Sequence, residues 1–176
     1  MSIALVRLAL GRAAILLLSL GLWMSAAVAA EPSGCAAFKW PVDRERTLLA
    51  ANADQIASGD ELASPPAVAI ALSLRPSADA ALPAPPERSP PQDRFAGFVR
   101  IRHLENAGLY TVALSGSGWV DVVQNGHPLK PADFSGATDC DGLRKLVRYR
   151  LAAGELSLQV SGVATNTIRL AIVPAD

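Results

Sequence analysis

The chain has 176 residues, with 16 lysines and arginines against 16 aspartates and glutamates, and 51 % of it is hydrophobic. That charge balance excludes a general nucleic-acid binder, which needs a basic surface. The two cysteines are far apart in the chain and form no C-x-x-C, which disfavours a structural zinc module.

Residues 1–30 carry Arg7 and Arg12, an apolar run at 13–24, and small residues ending Val28-Ala29-Ala30 ahead of Glu31-Pro32. This pattern predicts a secretory signal peptide over 1–30. A membrane anchor is the alternative, but the run is shorter than the roughly 20 residues a spanning helix needs, and no other such run follows. Pro32-Ser33-Gly34 precede Cys35 without the leucine of a lipidation box, so Cys35 reads as unlipidated. Removing the leader takes the basic count from 16 to 14 against 16 acids. The expected product is periplasmic or secreted, with no transmembrane segment after cleavage and no nucleic-acid partner. An exported chain meets an oxidising compartment, where Cys35 and Cys140 are expected to pair. Two separate thiols are the alternative; a metal site on two distant cysteines without C-x-x-C is disfavoured.

Along the remaining chain, Pro41 and the acids after it predict a short helix over 42–53. Its Arg44-Glu45-Arg46 cluster reads as a solvated face. Residues 54–66 read as loop. In 67–74, Val68, Ile70, Leu72 and Leu74 alternate with Ala67, Ala69, Ala71 and Ser73, a strand whose small outer face suits packing on both sides. Residues 76–93 hold Pro76, Pro83, Pro85, Pro86, Pro90 and Pro91, which forbid helix and central strand and predict a surface connection. A polyproline ligand for a partner is the sharper alternative.

Strand pattern resumes at 95–103, with Val99 and Ile101 against Phe98, Arg100 and Arg102. It continues at 109–115 (Tyr110, Val112, Leu114 inward). Ser115-Gly-Ser-Gly118 reads as a flexible turn. After the run 119–124, Asn125-Gly126 is the dipeptide of a type I′ hairpin. A loop at 131–142 precedes strands at 145–151 (Val147, Tyr149, Leu151 inward), 155–163 (Leu156, Leu158, Val160) and 167–173 (Ile168, Leu170, Ile172). About eight short strands predict an all-β fold, an antiparallel β-sandwich or jelly roll in a single domain over 31–176.

From Phe95 on, the residues Phe98-Val-Arg-Ile101, Ala107-Gly108-Leu109-Tyr110-Thr111-Val112, Leu114-Ser115-Gly116, Val120-Asp121-Val122, Asn125-Gly126, and Tyr149 with Leu151 ahead of Ala153-Gly154 resemble the bacterial pre-peptidase C-terminal (PPC) type of jelly-roll domain. The likeness spans 95–176 and implies a secreted accessory module. The sequence departs from that pattern at Glu155-Leu156, where an aromatic is expected, and carries an extra segment, 31–93.

A jelly roll also admits a cupin-like non-haem-iron dioxygenase of the homogentisate-dioxygenase type, which needs two histidines and a carboxylate. His103 and His127, with Glu105 or Asp133, are the available ligands, but both histidines sit beside turns and read as turn residues. No G-x-S-x-G elbow occurs. Asp139 and Asp141 around Cys140 fall short of the six or more oxygens of a calcium loop. Arg100, Arg102, Arg148 and Arg150 alternate with apolar residues and point outward. If their strands were neighbours they would form an anion-binding patch; otherwise they belong to solvated faces. The expected function is an exported, non-enzymatic β-sandwich that binds a protein or envelope component without a cofactor, with the oxygenase as the alternative.

Overall fold

Alternation of apolar and polar side chains produces two β-sheets facing one another across their apolar surfaces. The computed structural model describes residues 30–175, so the signal segment, Ala30 apart, lies outside the described residues. In chain order come helix α1 (Asp43–Ala50) and strands β1 (Asp54–Ala57), β2 (Glu61–Leu62), β3 (Ile70–Ser73), β4 (Arg75–Pro76), β5 (Phe95–Leu104), β6 (Gly108–Leu114), β7 (Trp119–Gln124), β8 (His127–Pro128), β9 (Asp133–Gly136), β10 (Lys145–Leu151), β11 (Gly154–Val163) and β12 (Thr167–Pro174). One sheet runs β1-β3-β12-β6-β10-β9. The other runs β2-β5-β11-β7-β8, with β4 added on β5.

Four antiparallel pairs are nested: β7 with β8, β6 with β10, β5 with β11 and β3 with β12. Successive pairs alternate between the sheets, which is the winding of a jelly roll. The expected inward residues meet in one core, among them Leu72, Val112, Tyr149, Leu158 and Leu170. Each such side chain contributes about 1.5–3 kcal/mol by leaving water.

Sequence pattern and structure differ at the edges. The expected loop at 54–66 holds β1 and β2, which pair parallel to β3 and β5 and make both sheets mixed. Edge strands hide from pattern reading because they need little burial: in β1 only Ile56 turns inward among exposed neighbours. The same holds for β9, inside the expected loop at 131–142. The strand expected from residue 67 begins at Ile70, and Val68 is left exposed.

Both sheets carry chain from outside the strands on their outer faces. On the first sheet, Phe38, Val42 and Leu49 pack against Ala69, Ala113, Leu146 and Ala171, so small outward residues admit α1 closely. Glu45 departs from its expected solvated setting: it shares the inward helix stripe with Val42 and Leu49 and is 6 % exposed. The Cys35–Cys140 disulfide is formed, with Cα atoms 4.6 Å apart across a sequence separation of 105. It fastens this N-terminal layer, and closing so long a loop is worth about 4–5 kcal/mol on the chain-entropy account.

On the second sheet the proline-rich segment is a packed strap. Gln159, wholly buried on β11, accepts from the Ala84 N–H at 3.2 Å, donates to the Ala84 carbonyl at 3.1 Å, and donates its other proton to Asp121 Oδ2 at 3.1 Å. One side-chain amide thus pairs with a backbone unit as a second strand would.

Gln159→Leu is expected to leave those groups unpaired and cost about 2–3 kcal/mol, with amide exchange at Ala84 becoming fast. Urea unfolding and hydrogen exchange check this. Leu170→Ala, emptying a fully buried site, is expected to cost about 2–5 kcal/mol without releasing the strap.

Candidate functional site

The turn before β7 fixes where a large aromatic side chain lands. A Cβ at Gly118 would stand 3.0 Å from Val163 Cγ2 and 3.3 Å from the Ser161 carbonyl oxygen. Glycine therefore lets the chain run flush against β11 and start β7 at Trp119, a packing role rather than the expected flexible one. At the other end, Asn125 (φ 53°) and Gly126 (φ 76°) supply the two positive-φ residues of the expected turn. The chain turns back through β8 and reaches β9 in the other sheet.

Among the described residues, the exposed large apolar side chains include Trp119, 36 % exposed, and Phe134, 64 % exposed. Both line a cleft of about 360 Å³ where β7 and β9–β10 flank the sandwich edge, with Val120, Pro131, Lys145 and Val147 in its walls and Glu87 and Arg88 of the strap at its lip. The volume is at the lower end of the range typical of small-molecule sites.

Cations dominate this cleft. Arg88 Cζ and Lys145 Nζ each lie 4.2 Å from the Trp119 ring centroid, and Lys39 Nζ is 5.3 Å from that of Phe134. Lys145 Nζ also donates to the Gly118 carbonyl at 2.6 Å. Burial holds the Lys145 ammonium below the usual lysine range, and the positive charges of Arg144 and Arg88 push the same way, partly offset by Glu31. Beneath the cleft, Tyr149 Oη donates to the Val120 carbonyl at 2.7 Å. Burial, then Asp121 and Glu87, raise its phenol above the usual range.

The condition for a shared arginine patch, that the two strands be neighbours, is not met. Arg100 and Arg102 are on β5 and Arg148 and Arg150 on β10, strands of opposite sheets, so the pairs point away from each other. Alternation assigns a side chain to a face but not to a sheet, and the jelly-roll winding separates these strands. Arg102 Nε is 3.0 Å from Glu61 Oε1, Arg100 lies over Phe98, and Arg148 lies 4.0 Å from the Trp40 ring centroid. The iron ligand set is likewise dispersed. His103 on β5 and His127 on β8 have β11 and β7 between them, three strand spacings or about 14 Å. Glu105 is exposed in the turn after β5. Asp133 is in the other sheet, bonded to Lys39 Nζ at 2.6 Å, which with the Phe134 N–H holds its carboxyl below the usual range. Among the described residues no group of three or more His, Cys, Asp or Glu side chains could hold a metal ion.

Trp119, Phe134, Lys145 and Arg88 stand out only once the fold unites them. The one local signal is Trp119, a large aromatic on the outward phase of its strand; Phe134 and Arg88 lie in stretches that read as loop.

No family model, no curated protein and no solved structure matches this chain.

Tyr149→Phe is expected to leave the buried Val120 carbonyl unpaired and cost about 1–2 kcal/mol at neutral pH. In the parent protein the Tyr149 phenolate band should appear only with unfolding, since the folded state holds that proton more tightly than the unfolded one. For Lys145 the sign is opposite. The unfolded chain holds the proton more tightly, so parental stability rises with pH between the depressed folded value and about 10. The melting temperature of the parent relative to Lys145→Met should therefore increase as pH goes from 7 to about 10.

Proposed function

We propose that the chain is an exported, non-catalytic binding module of the periplasm, cell envelope or extracellular space, and that the cleft between Trp119 and Phe134 is its ligand site. The carrying observation is that these two aromatic side chains, in a fold that covers both its outer faces, are left to line one cleft furnished with cations. Exposed aromatic groups of this kind are the usual anchors of recognition surfaces. Support for export comes from the leader pattern at 1–30 and the Cys35–Cys140 disulfide. Among the described residues no helix is long and apolar enough to cross a membrane. The PPC likeness of 95–176 agrees with an accessory role. The dispersal of His103, His127 and the acids over two sheets weighs against the oxygenase reading.

The test is chemical-shift mapping on nitrogen-15-labelled protein recovered after export, titrated with a panel of monosaccharides, aromatic acids and short peptides. At least one probe is expected to shift the Trp119 indole N–H together with backbone signals of residues 133–135 and 145–147. The response should disappear in Phe134→Ala. Shifts grouped anywhere else, or none from any probe, would overturn the assignment.

A further inference from the structure

The cleft has a one-sided set of polar groups. The carbonyls along the free side of β7 are already taken: Gly118 O by Lys145 Nζ, Val120 O by Tyr149 Oη, and Val122 O by the Leu129 N–H at 2.8 Å. A peptide adding as a further strand would find no acceptors for its N–H groups, so strand addition at this edge is closed. A visiting molecule meets two aromatic rings, the N–H donors of Arg88 and Lys145, and one carboxylate, Glu87. Behind Lys145, Arg144 adds positive charge although its Nη2 is ion-paired with Glu31 at 2.6 Å.

Each of these groups specifies part of the complementary ligand. Donors crowded beside a ring call for an anionic acceptor, and the guanidinium fork of Arg88 matches a carboxylate in geometry as well as charge. A lone acceptor at the lip calls for a hydroxyl. Arg88 and Lys145 already stand over the Trp119 indole, so the exposed Phe134 ring is the aromatic surface left for the C–H face of a saturated ring. We propose that the cleft takes an acidic saccharide, a pyranose carrying a carboxylate, with its ring on Phe134, the carboxylate on Arg88 and Lys145, and a hydroxyl on Glu87. This rests on the reading of the cleft as the ligand site and goes beyond it by naming the ligand class. The Lys145 ammonium, depressed first by burial and then by Arg144 and Arg88, agrees with it, because a ligand carboxylate would supply a countercharge.

Calorimetry at low ionic strength on the exported protein tests the proposal, with digalacturonic acid, glucose and benzoate as probes. Digalacturonate is expected to bind at least about tenfold more tightly than glucose or benzoate, and to lose about tenfold in Arg88→Gln, the effect of one charged hydrogen bond. Arg88 is exposed on the strap, so this variant should retain the parental fold. Arg150→Gln, on a strand face away from the cleft, should leave the affinity unchanged. Equal binding of glucose, preferred binding of benzoate, or digalacturonate binding indifferent to Arg88→Gln would each overturn the acidic-saccharide proposal. If the shift mapping still places some other probe at Trp119, the cleft survives as the site. If no probe maps there, both fall.

Discussion

Burying an amide side chain completely is tolerable only when all its hydrogen bonds are met, and Gln159 is where this structure satisfies that condition. Its strand, β11, has both edges paired, to β5 and β7, and one face in the core. The other face would be a polar stripe under water were it not for the strap, whose Ala84 backbone answers the amide in both directions. The strap is held at that point and continues to Glu87 and Arg88, so their position at the cleft follows from a hydrogen-bonding requirement on the opposite face of β11 from the core. Prolines assist by limiting the alternatives open to the strap before it docks.

The first sheet solves the matching problem by other means. Its outward residues Ala69, Ala113 and Ala171 are small, which lets Leu49, Val42 and Phe38 approach. A helix of eight residues is marginal alone, and here the disulfide and apolar contact hold it. Ser33 adds a bond to Asp139, and the Thr138 N–H bonds the Pro32 carbonyl. One cover is an apolar helix layer and the other a hydrogen-bonded strap, and both leave the edge beside β7 and β9 open.

Much of this was legible in the order of residues. Period-2 alternation placed Tyr110, Val112, Leu158 and Leu170 inward correctly, because a one-residue slip would move every one of them into water. Asn125-Gly126 gave its turn away for the same local reason: few residues tolerate positive φ twice in succession. What stayed hidden depends on winding. Arg100 and Arg148 carry the same local signature and end on opposite sides of the molecule. Glu45 sits between two arginines as a solvated acid would, yet helix phase turns it to the sheet. Trp119, Lys145 and Arg88 are brought together by the strap and the sheet order, neither of which has a periodicity to read.

The nested pairing also sets an order of events. The strand that closes the first sheet, β12, is the last in the described chain, and it lies between β3 and β6. Until Thr167–Pro174 arrives, Ile70–Ser73 has only the short β1 beside it, and Cys35 waits for a partner 105 residues away. Contacts so distant along the chain make folding slow and late. The second sheet needs no β12, so the wait falls on one seam alone: until Thr167–Pro174 fills it, β1-β3 and β6-β10-β9 remain two separate halves of the first sheet.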